Sequence, residues 1–65
     1  MVKINGTPAA LAEGATVEAY LLQNGYRTDR VAVERNGDIV PKAGYRTTVL
    51  LDGDEVEIVS FVGGG

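Results

Sequence analysis

Glu55-Val56-Glu57-Ile58-Val59-Ser60-Phe61-Val62 alternates in character and runs directly into Gly63-Gly64-Gly65. Successive side chains of a strand point to opposite faces. Val56, Ile58, Ser60 and Val62 therefore share one face, and Glu57, Val59 and Phe61 share the other. Glu57 belongs in water, so the first set is expected to face inward. Val59 and Phe61 are then left on the solvent side, beside the glycines. Glycine has no side chain to pack and keeps wide backbone freedom. The expectation is a folded unit over 1–62 and a thin, flexible tail over 63–65, with Gly65 carrying a free carboxylate. Exposed apolar residues beside such a tail suggest a docking surface.

Reading back from this strand, Asp52-Gly53-Asp54 is turn sequence, and Val49-Leu50-Leu51 is expected to bring an apolar anchor to the core. The acidic run Asp52, Asp54, Glu55 and Glu57 reads as turn chemistry plus a solvated face, or as a field steering the chain toward a basic partner groove. Its spacing does not fit a calcium loop. Positions 41–48 read as irregular, with room for one helical turn before Tyr45. Val31-Ala32-Val33-Glu34-Arg35 is a second alternating strand, with Val31 and Val33 inward. Asn36-Gly37 then supplies a hairpin turn, because both turn positions need positive φ, and Asp38-Ile39-Val40 returns. If the 31–35 strand neighbours the last one, Ala32 and Glu34 lie beside Val59 and Phe61.

The first residues follow the same logic. Val2 and Ile4 face inward, Asn5-Gly6 turns the chain, and a return strand is expected over 7–11. Pro8 has no N–H to donate, so that strand belongs at a sheet edge. Thr16 reads as a helix N-cap, and Glu18 complements the first turn. Val17, Tyr20, Leu21 and Asn24 form one stripe at helical spacing, flanked by Leu22. Asn24-Gly25 gives a left-handed stop, so the helix is expected over 16–24. Tyr20 and Tyr26 read as core-edge packing. One helix laid across a sheet is the compact two-layer solution, an α+β fold.

Composition limits the chemistry. A chain of 65 residues makes one small domain with no deep substrate cavity. It has no Cys and no His, which excludes disulfides, thiolate zinc sites and Cys- or His-based catalysis. Ser60, its only serine, has no His partner. Net charge is −3, so nucleic acid is an unexpected partner. No apolar run reaches the roughly 20 residues of a membrane span, and no signal peptide is visible. The expectation is a cytoplasmic protein that is not itself an enzyme and binds no metal.

Several stretches together resemble the sulfur-carrier proteins of thiamin biosynthesis, the ubiquitin-like ThiS family. They are Val2-Lys3-Ile4-Asn5-Gly6, Gly14-Ala15-Thr16-Val17, Val31 through Gly37, and Ile39-Val40-Pro41. Tyr45, Thr48-Val49-Leu50, Asp52 through Val59, and Gly64-Gly65 complete the likeness. The resemblance covers essentially the whole chain, and Gly63 is a mild departure at a position where the family tolerates small residues. It implies a β-grasp fold: a mixed five-stranded sheet with one main helix packed across one face.

The resemblance also implies a role for the tail. An adenylyltransferase similar to ubiquitin-activating enzymes would use ATP to adenylate the Gly65 carboxylate. Sulfur from a cysteine persulfide would convert it to a thiocarboxylate, and thiazole synthase would receive that sulfur. Gly63 and Gly64 would thread the partner's channel, while Val59, Phe61, Val62, Ala32 and Glu57 would form the docking surface. The chain itself would hold no cofactor. Alternatives left open by the residues are the small subunit of molybdopterin synthase, a ubiquitin-like binding module with an incidental tail, and a modifier joined to lysines.

Overall fold

A computed structural model of the chain describes residues 1–61. Val62, Gly63, Gly64 and Gly65 lie outside the described residues, as does the expected boundary between domain and tail. Five strands form one sheet: β1 (Val2–Ile4), β2 (Thr7–Ala9), β3 (Val31–Arg35), β4 (Asp38–Val40) and β5 (Glu55–Ser60). Their spatial order is β2-β1-β5-β3-β4. The β1–β5 pair is parallel, and β1–β2, β3–β4 and β3–β5 are antiparallel. This is the mixed five-stranded sheet expected, with the last strand of the chain at its centre. Pro8 sits on the edge strand β2, where a missing N–H costs no ladder bond.

The helix α1 covers Val17–Gln23. Thr16 caps it, its Oγ1 accepting from the Ala19 amide at 3.1 Å. The chain leaves the helix through Gly25, at φ 77°. Helical spacing puts Val17 and Leu21 on one stripe, and both are buried. They pack with Val2, Ile4, Val31, Val33, Val56 and Ile58 from the sheet's inner face. Tyr20 and Tyr26 border this core, as expected. Leu22, one position off the stripe, is exposed.

Both Asn-Gly turns form. Asn5 and Gly6 have φ 51° and 82°, and Asn36 and Gly37 have φ 51° and 87°. Positive φ at both central residues is the demand that selects this pair for tight hairpins. Short 3-10 turns occur at Thr28–Arg30 and at Lys42–Gly44, the latter just before Tyr45 where one helical turn had room.

Four expectations need correction. The return strand stops at Ala9 instead of reaching residue 11, because β1 offers partners only from Val2 to Ile4. Only Leu50 of the 49–51 anchor is buried; Val49 bridges to Thr16 and Leu51 is exposed. Strand β5 ends at Ser60, opposite Val31 where β3 begins, so Phe61 lies just past the pairing. Ser60 shares the face of Val56 and Ile58 by alternation, yet it is exposed.

Candidate functional site

The pairing of β3 with β5 assembles the outer face of the sheet. Val59 lies opposite Ala32, and Glu57 lies opposite Glu34. Val59 and Phe61 are each 57% exposed, and Ala32 and Glu57 are exposed with them. The strand's two faces are therefore assigned as alternation requires. Four of the five residues expected to dock a partner are described, and of these Ala32, Glu57 and Val59 share one side of adjacent strands. Phe61 continues the same alternation at the root of the tail. Val62, the fifth, lies outside the described residues, together with the tail residues Gly63, Gly64 and Gly65.

One apolar contributor was missed by the sequence reading. Ile39 pairs with Glu34 across β3–β4 and is 76% exposed. Its parity was available: Val40 turns inward against Val33, so Ile39 must turn outward. The outer face thus carries Ala32 and Val59 at its exit end, with Phe61 just beyond, while Ile39 sits in the same cross-strand row as Glu34 and Glu57. Glu34, Glu55 and Glu57 lie toward the end where β5 begins.

The acidic run divides by role. Asp54 is buried, against the expectation of a solvated face. Its Oδ2 accepts from the Leu51 amide at 2.8 Å and lies 3.2 Å from Arg35 Nε; its Oδ1 accepts from Asn36 Nδ2 at 2.9 Å. Burial raises the Asp54 pKa, but the Leu51 and Asn36 hydrogen bonds and the Arg35 charge outweigh it and hold the carboxyl below its ordinary range. Asp54 therefore shapes the loop before β5 and is unavailable for steering. Asp52 is exposed and pairs with the N-terminal ammonium group, which lowers its pKa. Glu55 and Glu57 remain in solvent.

Among the described residues, the outer face of the sheet holds no buried acid or base. Tyr45 is buried in the core, its hydroxyl donating to the Val31 carbonyl at 3.4 Å, and burial pushes its pKa up. Among the described residues, the side chains of the outer face offer no converging nucleophile and base.

A family model described as the ThiS family matches residues 2–65. The chain belongs to the ThiS family. It is 36% identical over 66 residues to the sulfur carrier protein ThiS of Bacillus subtilis, covering 100% of both chains. A crystal structure of the thiamine biosynthesis protein ThiS from Geobacter metallireducens superposes with a TM-score of 0.81. That pair is 33% identical, covering 98% of this chain and 97% of the other. The sheet order and single helix are those of the ThiS β-grasp. Two longer proteins also match. Thiazole synthase of Paramagnetospirillum magneticum is 48% identical over 62 residues, and that of Magnetococcus marinus is 39% identical over 64 residues. The chain spans 19% and 20% of their respective lengths, so a ThiS-like stretch forms about a fifth of each.

Proposed function

We propose that this ThiS-family chain is a sulfur carrier for thiazole formation in thiamin biosynthesis, and that its working group is the carboxylate of Gly65. A carboxylate is a poor acyl donor. Adenylation by ATP releases pyrophosphate and gives the Gly65 acyl group a good leaving group, AMP. A persulfide sulfur on a cysteine of a donor protein then displaces AMP. Reductive cleavage of the resulting acyl disulfide by a thiol leaves a thiocarboxylate on Gly65 and a disulfide on the donor side. Thiazole synthase takes that sulfur, and the carrier returns with an ordinary carboxylate.

The chain's own contribution is shape and reach. Gly63, Gly64 and Gly65 lack Cβ atoms, so they fit a channel too narrow for other residues. Three extended residues span about 10 Å. The outer-face residues Ala32, Glu57, Val59 and Phe61 give the partners a handle directly before this lead. In this reading the chain is a substrate protein, handled by an adenylyltransferase of the ubiquitin-activating type, a persulfide donor and thiazole synthase.

The observation that carries the reading is the family match extending through Gly65 in a chain whose outer sheet face exposes Val59 and Phe61. The proteins named thiazole synthase that contain a ThiS-like stretch support the last partner, since that stretch lies there within the same chain. The test is an intact-mass measurement on the protein ending at Gly65. It is incubated with ATP, the adenylating enzyme and a persulfide donor. The expected gain equals one oxygen exchanged for one sulfur; an unchanged mass refutes the carrier role, and adducts with whole proteins would make the chain a modifier instead.

A further inference from the structure

Charge on this molecule is polarised along β5. At the strand's start Glu34 lies directly opposite Glu57, with Glu55 two residues earlier. Like charges opposite one another across strands are destabilising, so the fold gains nothing from this pair. At the strand's exit the pattern inverts. Arg27, Arg30, Tyr26, Ser60 and Phe61 line a hollow of 240 Å³. Lys42 joins the same turn, its Nζ donating to the Asp29 carbonyl at 2.9 Å. Arg27 is engaged by the Asp29 carboxylate through Nε at 3.2 Å and Nη2 at 3.0 Å. Among the described residues the exposed Arg30 guanidinium makes no ion pair. In a chain of net charge −3, the root of the tail is locally cationic.

We propose that Arg30, flanked by Arg27 and Lys42, is a cationic collar that binds carboxylates on the adenylating protein partner and so aims the tail into that partner's site. This rests on the reading given under Proposed function and adds the orienting contact. A face with anions at one end and cations at the other meets a complementary surface in one orientation only, which is how charge fixes register at an interface. Protein carboxylates are the fitting ligand, because the nucleotide reacts too far away. The segment from Val62 to Gly65 can span about 14 Å when extended in a channel, well beyond the reach of the Arg30 side chain. The collar is also fixed to the tail's root by the backbone: the Phe61 amide donates to the Arg30 carbonyl at 2.7 Å.

The test compares Arg30→Glu with Lys3→Glu, which makes the same charge change on β1, opposite Glu55. Affinity for the adenylating enzyme and the rate of pyrophosphate release are measured at low and high salt. Arg30→Glu is expected to weaken binding and raise KM roughly tenfold, with kcat at saturation within about twofold of wild type. Lys3→Glu is expected to stay within about twofold in both. Wild-type binding should weaken with salt more steeply than that of Arg30→Glu. The hydrogen bond to Phe61 comes from the Arg30 backbone carbonyl, so the side-chain variant keeps the strand end tied, and an unchanged melting temperature checks this. If the two variants behave alike, the collar is wrong. Tighter binding by Arg30→Glu would mean that Arg30 holds the chain's own tail carboxylate, which also overturns it. So would wild-type self-association that Arg30→Glu abolishes, since a second copy would then be the occupant. A wild type that is never adenylated sinks the parent reading; failure of the Arg30 comparison alone leaves that reading standing.

Discussion

The side-chain amide of Asn5 satisfies both backbone groups of Ile58: Nδ2 donates to the Ile58 carbonyl at 3.2 Å, and Oδ1 accepts from the Ile58 amide at 2.7 Å. The β1–β5 pairing runs only through Lys3–Glu55 and Ile4–Val56 before β1 turns away. Asn5 thus acts as a substitute strand residue where the backbone has left. Asn36 works on the same strand from the other side, its Oδ1 accepting from the Glu55 amide at 2.9 Å. Each asparagine serves its own hairpin turn and braces the central strand from which the tail departs.

Replacing Asn5 by Gly tests the bridge apart from the turn. Glycine tolerates the φ of 51° at this position, so the hairpin remains permitted. The Ile58 amide and carbonyl lose their partner, and an unpaired, part-buried polar group costs roughly 1–3 kcal/mol. A lower urea midpoint with an unchanged slope is the expected result. A midpoint equal to wild type would show that water replaces the amide at no cost.

Asp54 predicts the acid limb of stability. Its carboxyl is held below the ordinary value, so the native state binds its proton less readily than the unfolded chain does. That stabilisation is fully present above the unfolded pKa of about 3.9, and it is lost as pH falls through the folded value. Melting temperature should therefore be flat from neutrality toward pH 5 on account of this group and should fall below about pH 4. Asp54→Asn should be less stable at pH 7 by roughly 1–3 kcal/mol, since it weakens the contacts to Arg35, Asn36 and Leu51. Its stability should also change less between pH 5 and pH 3 than the wild type's. Equal acid sensitivity would remove Asp54 as the cause.

These two residues also mark where the sequence becomes opaque. Strand parity placed Val56 and Ile58 inward and Val59 outward, because alternation is a local property of extended backbone. The helix cap and the Asn-Gly turns were equally local. The bridging roles of Asn5 and Asn36 were not: their partners lie 53 and 19 residues away. Asp54 looked solvated because Arg35 and Asn36, the groups that make its burial affordable, come from another hairpin. The end of β2 was missed for a related reason, since its length is set by β1, which stops at Ile4. The family likeness was legible because it rests on short motifs in a fixed order along the whole chain, which can be read without knowing which strands pair.

The core is small enough for one methylene cluster to matter. Stability of about 0.05–0.15 kcal/mol per residue gives this domain roughly 3–10 kcal/mol in total. Leu21 is 0% exposed and packs at the centre of the helix–sheet contact. Leu21→Ala should cost roughly 2–5 kcal/mol, a large share of that total. Leu22→Ala, one residue along and 61% exposed, should cost less than about 1 kcal/mol. Thermal melts of the two variants check the helix phase directly. Similar losses would mean that the helix does not lie on the sheet by its Val17–Leu21 stripe.

The outer face makes the opposite demand. Val59 and Phe61 are each 57% exposed, so a charge at either position is not forced into the core. Val59→Asp should cost less than about 1 kcal/mol, the span of strand propensities, and Phe61→Asp less still, because Phe61 lies beyond the end of β5. Either change places a carboxylate in the apolar end of the proposed handle. Desolvating it against a partner should weaken binding to the adenylating enzyme by roughly tenfold or more. The loss should be measurable as a raised Kd and KM while the melting temperature stays near that of wild type. Glu57→Lys separates charge from contact on the same strand, since it relieves the like-charge pairing with Glu34 and should leave stability unchanged or slightly higher. A large fall in melting temperature for Val59→Asp, with binding of the folded fraction intact, would show that this face supports the fold and that the partners grip the carrier elsewhere.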